Sequence, residues 1–310
     1  MHIAGIVRTD ATCSVGSTDA LARKPALSLP RRSRRGQRDF HTWGRRPSAC
    51  VRIRNRQIEP RSHLDRHRDD RRPRMDRPHP RRRGPMKYRR LHPWNLSPKE
   101  AVSLQRRLAA HLVHRWDGRD VTTVAGIDVS VRGGRSRAAV VLLSFPGLEW
   151  IESTTAEAPT SFPYVPGLLT FREAPVVLDA WSKLSHTPDL VLFDGQGIAH
   201  PRRIGLAAHL GLWLDLPTIG CAKSRLYGHH AEPGSTKGDR TPLLDEHDPD
   251  SAIGSVLRTR TNVKPLFISP GHRIDVDRAT GFVLRCCTRY RLPEPTRWAH
   301  RVAGGHRHTA

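Results

Sequence analysis

Long apolar runs are absent from this sequence, and so is any regular spacing of cysteines. No stretch approaches the roughly 18 apolar residues that a membrane-crossing helix requires, and the patch Ile3–Val7 is too brief for a secretory signal. A membrane protein is therefore not expected. The five cysteines, Cys13, Cys50, Cys221, Cys286 and Cys287, contain no C-x-x-C pair. That argues against both a disulfide framework and a structural zinc site, and it makes a reducing cytoplasm the expected compartment. Hydrophobic residues make up only 37% of the chain and aromatic residues 6%. The apolar share falls below the ~45–50% of ordinary globular domains, so part of the chain is not expected to fold.

What is abundant is positive charge. Lys and Arg number 53 against 29 Asp and Glu, a net charge of +24 over 310 residues. Residues 1–85 carry 23 of the basic residues and 8 of the acidic ones, and within them Lys24 is the one lysine among 22 arginines. This Arg/Pro-rich stretch has almost no aliphatic periodicity and cannot bury enough apolar surface to offset ~1–2 kcal/mol of backbone entropy per residue. Residues 1–85 are expected to be disordered. Their arginine bias resembles translated GC-rich DNA, and regular patterning begins at Met86, so the expected start of the folded protein is Met86. The alternative is a basic arm with non-specific affinity for nucleic acid.

Residues 86–310 read as one α/β domain. Ser97, Pro98 and Glu100 supply an N-cap, a first-turn proline and a capping-box acid, which predicts a helix to about Trp116. Period-two alternation then predicts three strands, Val124–Val131, Arg137–Leu143 and Leu148–Thr155, as a meander turned first at Gly133–Gly134. A helix is expected over Phe171–Leu184, a buried strand at Leu190–Phe193, a helix near Arg202–Leu210, a strand at Thr218–Ala222, and two final helices at Val276–Tyr290 and Glu294–Val302. The meander followed by alternation predicts a mixed sheet with flanking helices. Cys286 and Cys287 read as small core-filling residues.

Three carboxylates stand where ionised groups are costly. Asp128 interrupts the apolar run VAGIDVSV, Asp194 ends LVLFD ahead of Gly195, and Glu173 opens a helix. Each has an ordinary structural reading as a hydrogen-bonding, turn or first-turn acid. Together they are oxygen ligands of the kind that hold Mg²⁺. His272 follows a strand-like segment through Pro270–Gly271, His200 precedes Arg202 and Arg203 at a helix start, and Lys223 follows a strand. Basic groups beside a carboxylate centre point to a phosphodiester. Tyr164 lies in the rigid PYVPG loop, either as a core tyrosine or as a wedge for a base stack.

The segments VAGIDVS, FPYVPGLLTFREAP, FDGQGIAHPRRIGLAAHLG, CAKSRLYG and IGSVLRTRTNVKPLFISPGHRID resemble the successive signature blocks of the endonuclease V family, in order, from about Trp94 to Ala303. The resemblance implies a ribonuclease H-like fold with a mixed five-stranded sheet. It also implies a Mg²⁺-dependent DNA repair endonuclease, with Mn²⁺ as a substitute metal. Such an enzyme recognises deoxyinosine and hydrolyses a phosphodiester on its 3′ side, one nucleotide beyond the lesion. Asp128 and Asp194 then resemble the metal-ligand aspartates, Glu173 the catalytic carboxylate and metal ligand, and His272 the histidine completing the site. Tyr164 resembles the wedge. Gly167, Leu169 and Gly195 resemble pocket positions for the flipped base, and His200 and Lys223 resemble residues near the scissile phosphate. The implied partner is deoxyinosine-containing DNA, with no obligatory protein partner. Two alternatives stay open: an inosine-specific endoribonuclease acting on single-stranded RNA, and a non-catalytic nucleic-acid binder.

Overall fold

The structure is a computed structural model that describes residues 86–306. These lie within one compact unit. The disordered segment expected over residues 1–85 and the last four residues of the domain lie outside the described residues.

The capping box forms as the sequence demands: Ser97 Oγ accepts from the Glu100 amide, and the Glu100 carboxylate accepts from the Ser97 amide at 2.8 Å. The first helix, α1 (Pro98–Ala109), is shorter than expected. It stops because the chain is drawn away to the domain body, where the Val113 amide donates to His272 Nδ1 at 3.2 Å.

The meander is β1 (Thr123–Arg132), β2 (Arg135–Ser144) and β3 (Trp150–Pro159). Gly133 and Gly134 have φ of +54° and +73°. Two consecutive left-handed residues make the tight turn whose twist matches paired strands, and glycine adopts it without a side-chain clash. After α2 (Leu169–Trp181), strand β4 (Leu190–Phe193) lies parallel to β1; after α3 (Leu206–Leu214), β5 (Thr218–Ala222) lies parallel to β4. These five strands, in the order β3-β2-β1-β4-β5, are the expected mixed sheet. The chain then adds three antiparallel strands, β6 (Arg240–Leu244), β7 (Ala252–Leu257) and β8 (Leu266–Pro270), giving an eight-stranded sheet in the order β3-β2-β1-β4-β5-β8-β7-β6. The expectation of five strands is corrected to eight. Helices α4 (Val276–Cys286) and α5 (Glu294–Ala303) close the fold.

The central strands are buried on both faces, which explains continuous apolar runs such as LVLF. On one face Val124, Leu190, Leu192 and Ile219 pack with Val283, Cys286 and Cys287 at α4 and with Ala299 and Val302 of α5. On the other, Ala125, Ile127, Val191 and Phe193 pack against Val177 and Trp181 of α2 and Leu210 and Trp213 of α3. Each fully buried large side chain contributes ~1.5–3 kcal/mol of transfer free energy, so this double core holds the carboxyl ends of β1 and β4 rigidly side by side.

Candidate active site

Strand register brings two of the carboxylates together. Ile127 pairs with Phe193 across the parallel β1/β4 ladder, so the next residues, Asp128 and Asp194, are neighbours at the carboxyl edge. The Asp194 amide donates to the Ile127 carbonyl at 3.2 Å and fixes the turn there. Because side chains alternate in direction along a strand, Asp128 leaves β1 on the same face as Val124, the face covered by α5.

Helix α5 supplies a third group. Its Pro295 backbone lies so close to β1 that a Cβ on Gly126 would fall 2.0 Å from the Pro295 carbonyl carbon, a contact that any side chain would forbid. From that crossing, two residues along the strand advance ~7 Å and five along the helix advance ~7.5 Å. His300 therefore meets Asp128, with Nδ1 2.8 Å from Oδ2. The carboxylate accepts, so Nδ1 carries the hydrogen. Asp128, Asp194 and His300 each present a ligand atom, all within 4.8 Å of one another. Lys223, immediately after β5, ion-pairs with Asp194. Its backbone is held by the Arg291 guanidinium, which donates to the Lys223 carbonyl at 2.8 Å.

Glu173 enters from α2. Burial, followed by repulsion from Asp128 and Asp194, pushes its carboxyl up to about 8. Asp128 is also raised, by burial first and then by Asp194, against the opposing pull of His300 and Lys223. Three carboxylates crowded at one sheet edge destabilise one another's charged forms, and a hard divalent cation relieves that repulsion. The carboxylates of Asp128 and Asp194, with the His300 ring within 4.8 Å, fit such a cation, and Glu173 lies near enough to feel both aspartate charges.

The structure does not bring His272 to this cluster, which corrects the expectation. Strand β8 runs antiparallel to β5, pairing Pro270 with Ile219, so His272 emerges at the end of β5 opposite Lys223. There it is 3% exposed. Its amide donates to Thr218 Oγ1 at 2.9 Å, its Nδ1 accepts from Val113, and its Nε2 lies 3.6 Å from Asp215. Burial, then the nearby Arg273, lowers the ring to about 4. It is a neutral tether between the segment that follows α1 and the sheet, and His300 occupies the place expected for it.

His200 is also placed differently from expectation. Its ring is buried and lowered to about 4, chiefly by burial. Nε2 donates to the Gly167 carbonyl at 3.0 Å and Nδ1 accepts from the Arg202 amide at 3.1 Å. Both nitrogens are engaged inside the protein, so His200 presents no cation to a phosphate. It holds the loop that carries Tyr164.

That loop borders a small apolar cavity of about 140 Å³, lined in part by Tyr164, Gly167, Leu169, Gln196, Gly205 and Leu226. Drug-sized pockets run ~300–1,000 Å³, so this one suits a single planar base. Tyr164 is 75% exposed, an unusual state for a tyrosine beside an apolar cavity and the opposite of a core residue. Gly167 has φ +78°, and a Cβ there would come within 2.5 Å of the Arg202 guanidinium. Gly195 is corrected: it does not line this cavity, whereas its neighbour Gln196 does. The cavity and the carboxylates share elements, for Gln196 lies two residues after Asp194 and Leu169 one turn before Glu173.

Sequence reasoning passed over His300. The expected helix Glu294–Val302 was placed correctly, but nothing in its pattern marks His300 apart from the three other basic or aromatic side chains of EPTRWAHRVA. Only the close approach at Gly126 selects it.

The Endonuclease V family model matches residues 105–301. The chain is 50% identical over 221 residues to Endonuclease V of Nostoc punctiforme, covering 70% of this chain and 99% of that protein. It is 50% identical over 215 residues to Endonuclease V of Methanothrix thermoacetophila, covering 69% and 94%. Among solved structures, Streptomyces avermitilis Endonuclease V superposes with a TM-score of 0.64 at 40% identity, covering 68% of this chain and 93% of that one. Ciona intestinalis Endonuclease V, in complex with a 24mer DNA containing an inosine followed by a ribo-adenosine, gives 0.57 at 26% identity, covering 66% and 95%. With the ribonuclease H-like sheet order, the carboxylate edge and these matches in agreement, the chain belongs to the endonuclease V family of nucleases.

Proposed function

We propose that this protein is a Mg²⁺-dependent DNA repair endonuclease that recognises deoxyinosine and hydrolyses a phosphodiester on its 3′ side, one nucleotide beyond the lesion. The observation that carries the reading is the junction of two features: the Asp128–Asp194–His300 cluster with Glu173 near it and, sharing the segment after β4 and the start of α2, a base-sized cavity beside exposed Tyr164. The Ciona intestinalis complex with inosine-containing DNA supports the substrate class.

Asp128, Asp194 and Glu173 would hold the cation, with the His300 ring beside them. When bound, a divalent ion supplies Lewis acidity toward phosphoryl oxygens and lowers the pKa of the attacking water. Asp128 orients the His300 ring through Nδ1–H, which leaves Nε2 as the proton acceptor of the site. Lys223 offsets carboxylate charge and stabilises the negative charge that builds on the phosphate. Tyr164 fills the gap left in the stack when the base turns out, so that a few kcal/mol of unstacking is partly recovered. No helix among the described residues is long and apolar enough to cross a membrane, and the proposed location is the cytoplasm.

The second reading is an inosine-specific endoribonuclease. One observation favours it: the nucleic acid in the Ciona intestinalis complex carries a ribo-adenosine after the inosine. Matched single-inosine DNA and RNA oligonucleotides, end-labelled and incubated with Mg²⁺, test both. Faster nicking of the DNA one nucleotide beyond the lesion supports the main reading. Preference for RNA supports the second, and no inosine-dependent nicking of either overturns both.

A further inference from the structure

We infer that Gln105 is the positioning residue for lesion recognition: a single buried carboxamide on α1 that clamps together the two walls of the base-sized cavity. The inference rests on the reading of that cavity as the base pocket and assigns part of its specificity to a helix that touches neither metal ligands nor cavity.

Gln105 is completely buried, at 0% exposure, which is unusual for a residue of its polarity. Both of its amide hydrogens and its carbonyl oxygen are engaged by pocket elements. Nε2 donates to the Gly167 carbonyl at 3.1 Å and to the Ile204 carbonyl at 3.2 Å, and Oε1 accepts from Arg202 Nε at 2.6 Å. Gly167 belongs to the Tyr164 loop, one wall of the cavity. Ile204 directly precedes Gly205 and Leu206 in the other wall. The two walls are 37 residues apart in sequence, and Gln105 joins them through one planar group.

The Gly167 carbonyl is the centre of this arrangement. Besides Gln105 it receives His200 Nε2 at 3.0 Å and Arg202 Nη2 at 2.8 Å. Convergence of three donors on one loop carbonyl fixes the left-handed Gly167, and through it the entry of Tyr164. Only glutamine supplies a two-hydrogen donor and an acceptor at this reach without charge. Glutamate would keep the Arg202 partner but set an acceptor against two carbonyls. Methionine would fill the volume and make none of the bonds.

The positioning role differs from a merely structural one in what it moves. A loosened pocket lowers the fraction of molecules poised to receive the base, which weakens lesion binding and leaves turnover of bound substrate in place. General destabilisation lowers the amount of active enzyme instead. Gln105→Met and Gln105→Glu, each checked for folding by thermal melting, are compared with the wild type for KM and kcat on single-inosine duplex DNA. Binding to the same duplex without inosine is measured alongside. In a second arm, hydrogen exchange is followed at the Leu168 amide, which closes the loop on Val165 at 2.9 Å.

The expected result for Gln105→Met is a KM raised about tenfold, the factor carried by ~1.4 kcal/mol, with kcat changed less than about threefold. Affinity for undamaged DNA should be unchanged, Leu168 should exchange faster, and Gln105→Glu should show a larger effect. Unchanged KM and unchanged Leu168 exchange in folded variants would overturn the clamp. So would a loss confined to kcat. Should the wild type show no preference for inosine, the proposed function fails, and the exchange arm still decides whether Gln105 holds the loop.

Discussion

His300 Nδ1 lies 2.8 Å from Asp128 Oδ2 and joins the last helix to the first strand across 172 residues. The contact unites a proton-transfer group with a carboxylate at the sheet edge, and it separates His300 from His272, which sits at the far end of β5. The two histidines should respond differently to substitution. His300→Ala is expected to lower kcat on inosine-containing DNA by ~10²–10⁴, the usual contribution of a positioned acid or base, while substrate affinity and melting temperature stay near wild type. His272→Ala should lower stability by ~1–3 kcal/mol, because the Val113 amide loses its ring acceptor and the buried ring loses its packing, while the backbone bond to Thr218 is kept. In the folded fraction its kcat should match the wild type. Steady-state kinetics paired with denaturant melts distinguish the two, and a kinetic defect confined to His272→Ala would reverse the assignment.

Glu173 gives the metal-free protein a pH-dependent stability of definite sign. Its carboxyl is raised from 4.5 to about 8 in the folded state. Between those values the folded state binds more protons than the unfolded chain, so stability falls as pH rises through the window. The slope from this group is at most ~1.4 kcal/mol per pH unit. Melts in a chelator from pH 5 to pH 8 should show the decline, Glu173→Gln should flatten it, and Mg²⁺ should restore stability at the alkaline end. A chelated protein equally stable across the window would contradict the crowding of carboxylates.

The seating of α5 depends on the missing side chain at Gly126. With a Cβ 2.0 Å from the Pro295 backbone, Gly126→Ala forces the helix outward rather than bending a flexible side chain. Overpacking of this kind costs ~1–3 kcal/mol, occasionally more. A shift of α5 also carries His300 away from Asp128. The variant should therefore lose both thermal stability and nicking activity. Full activity with wild-type melting would show that α5 does not need this approach.

Much of the fold was legible because it is written in local chemistry. The capping box at Ser97 started α1, alternation located β1 to β3, and short apolar runs placed β4 and β5. The misses are places where distant contacts decide. Strands β6 and β7 went unseen: RTPLL contains a proline that suits only an edge, and AIGSVL reads as weakly apolar. They form because β8 offers them a template. The same strand misplaced His272. A histidine just beyond a strand reads as a site residue when the strand points toward the catalytic edge. The direction of β8 is set by its antiparallel pairing to β5, which no local pattern records. Asp128, Asp194 and Glu173 were legible because an acid among apolar residues is costly wherever it sits. His300 is ordinary in its own helix and becomes distinctive only where α5 crosses β1.

The central claim is that the carboxylate edge is a metal-dependent nuclease site directed at inosine. The most direct measurement compares wild type with Asp128→Ala on a single-inosine duplex under matched Mg²⁺ and chelator conditions, with the inosine-free duplex as control. The account predicts nicking only by the wild type, only with Mg²⁺ and only of the inosine strand, with Asp128→Ala folded and at least ~10³-fold slower. Equal nicking by Asp128→Ala, or wild-type nicking undiminished by chelator, would contradict it.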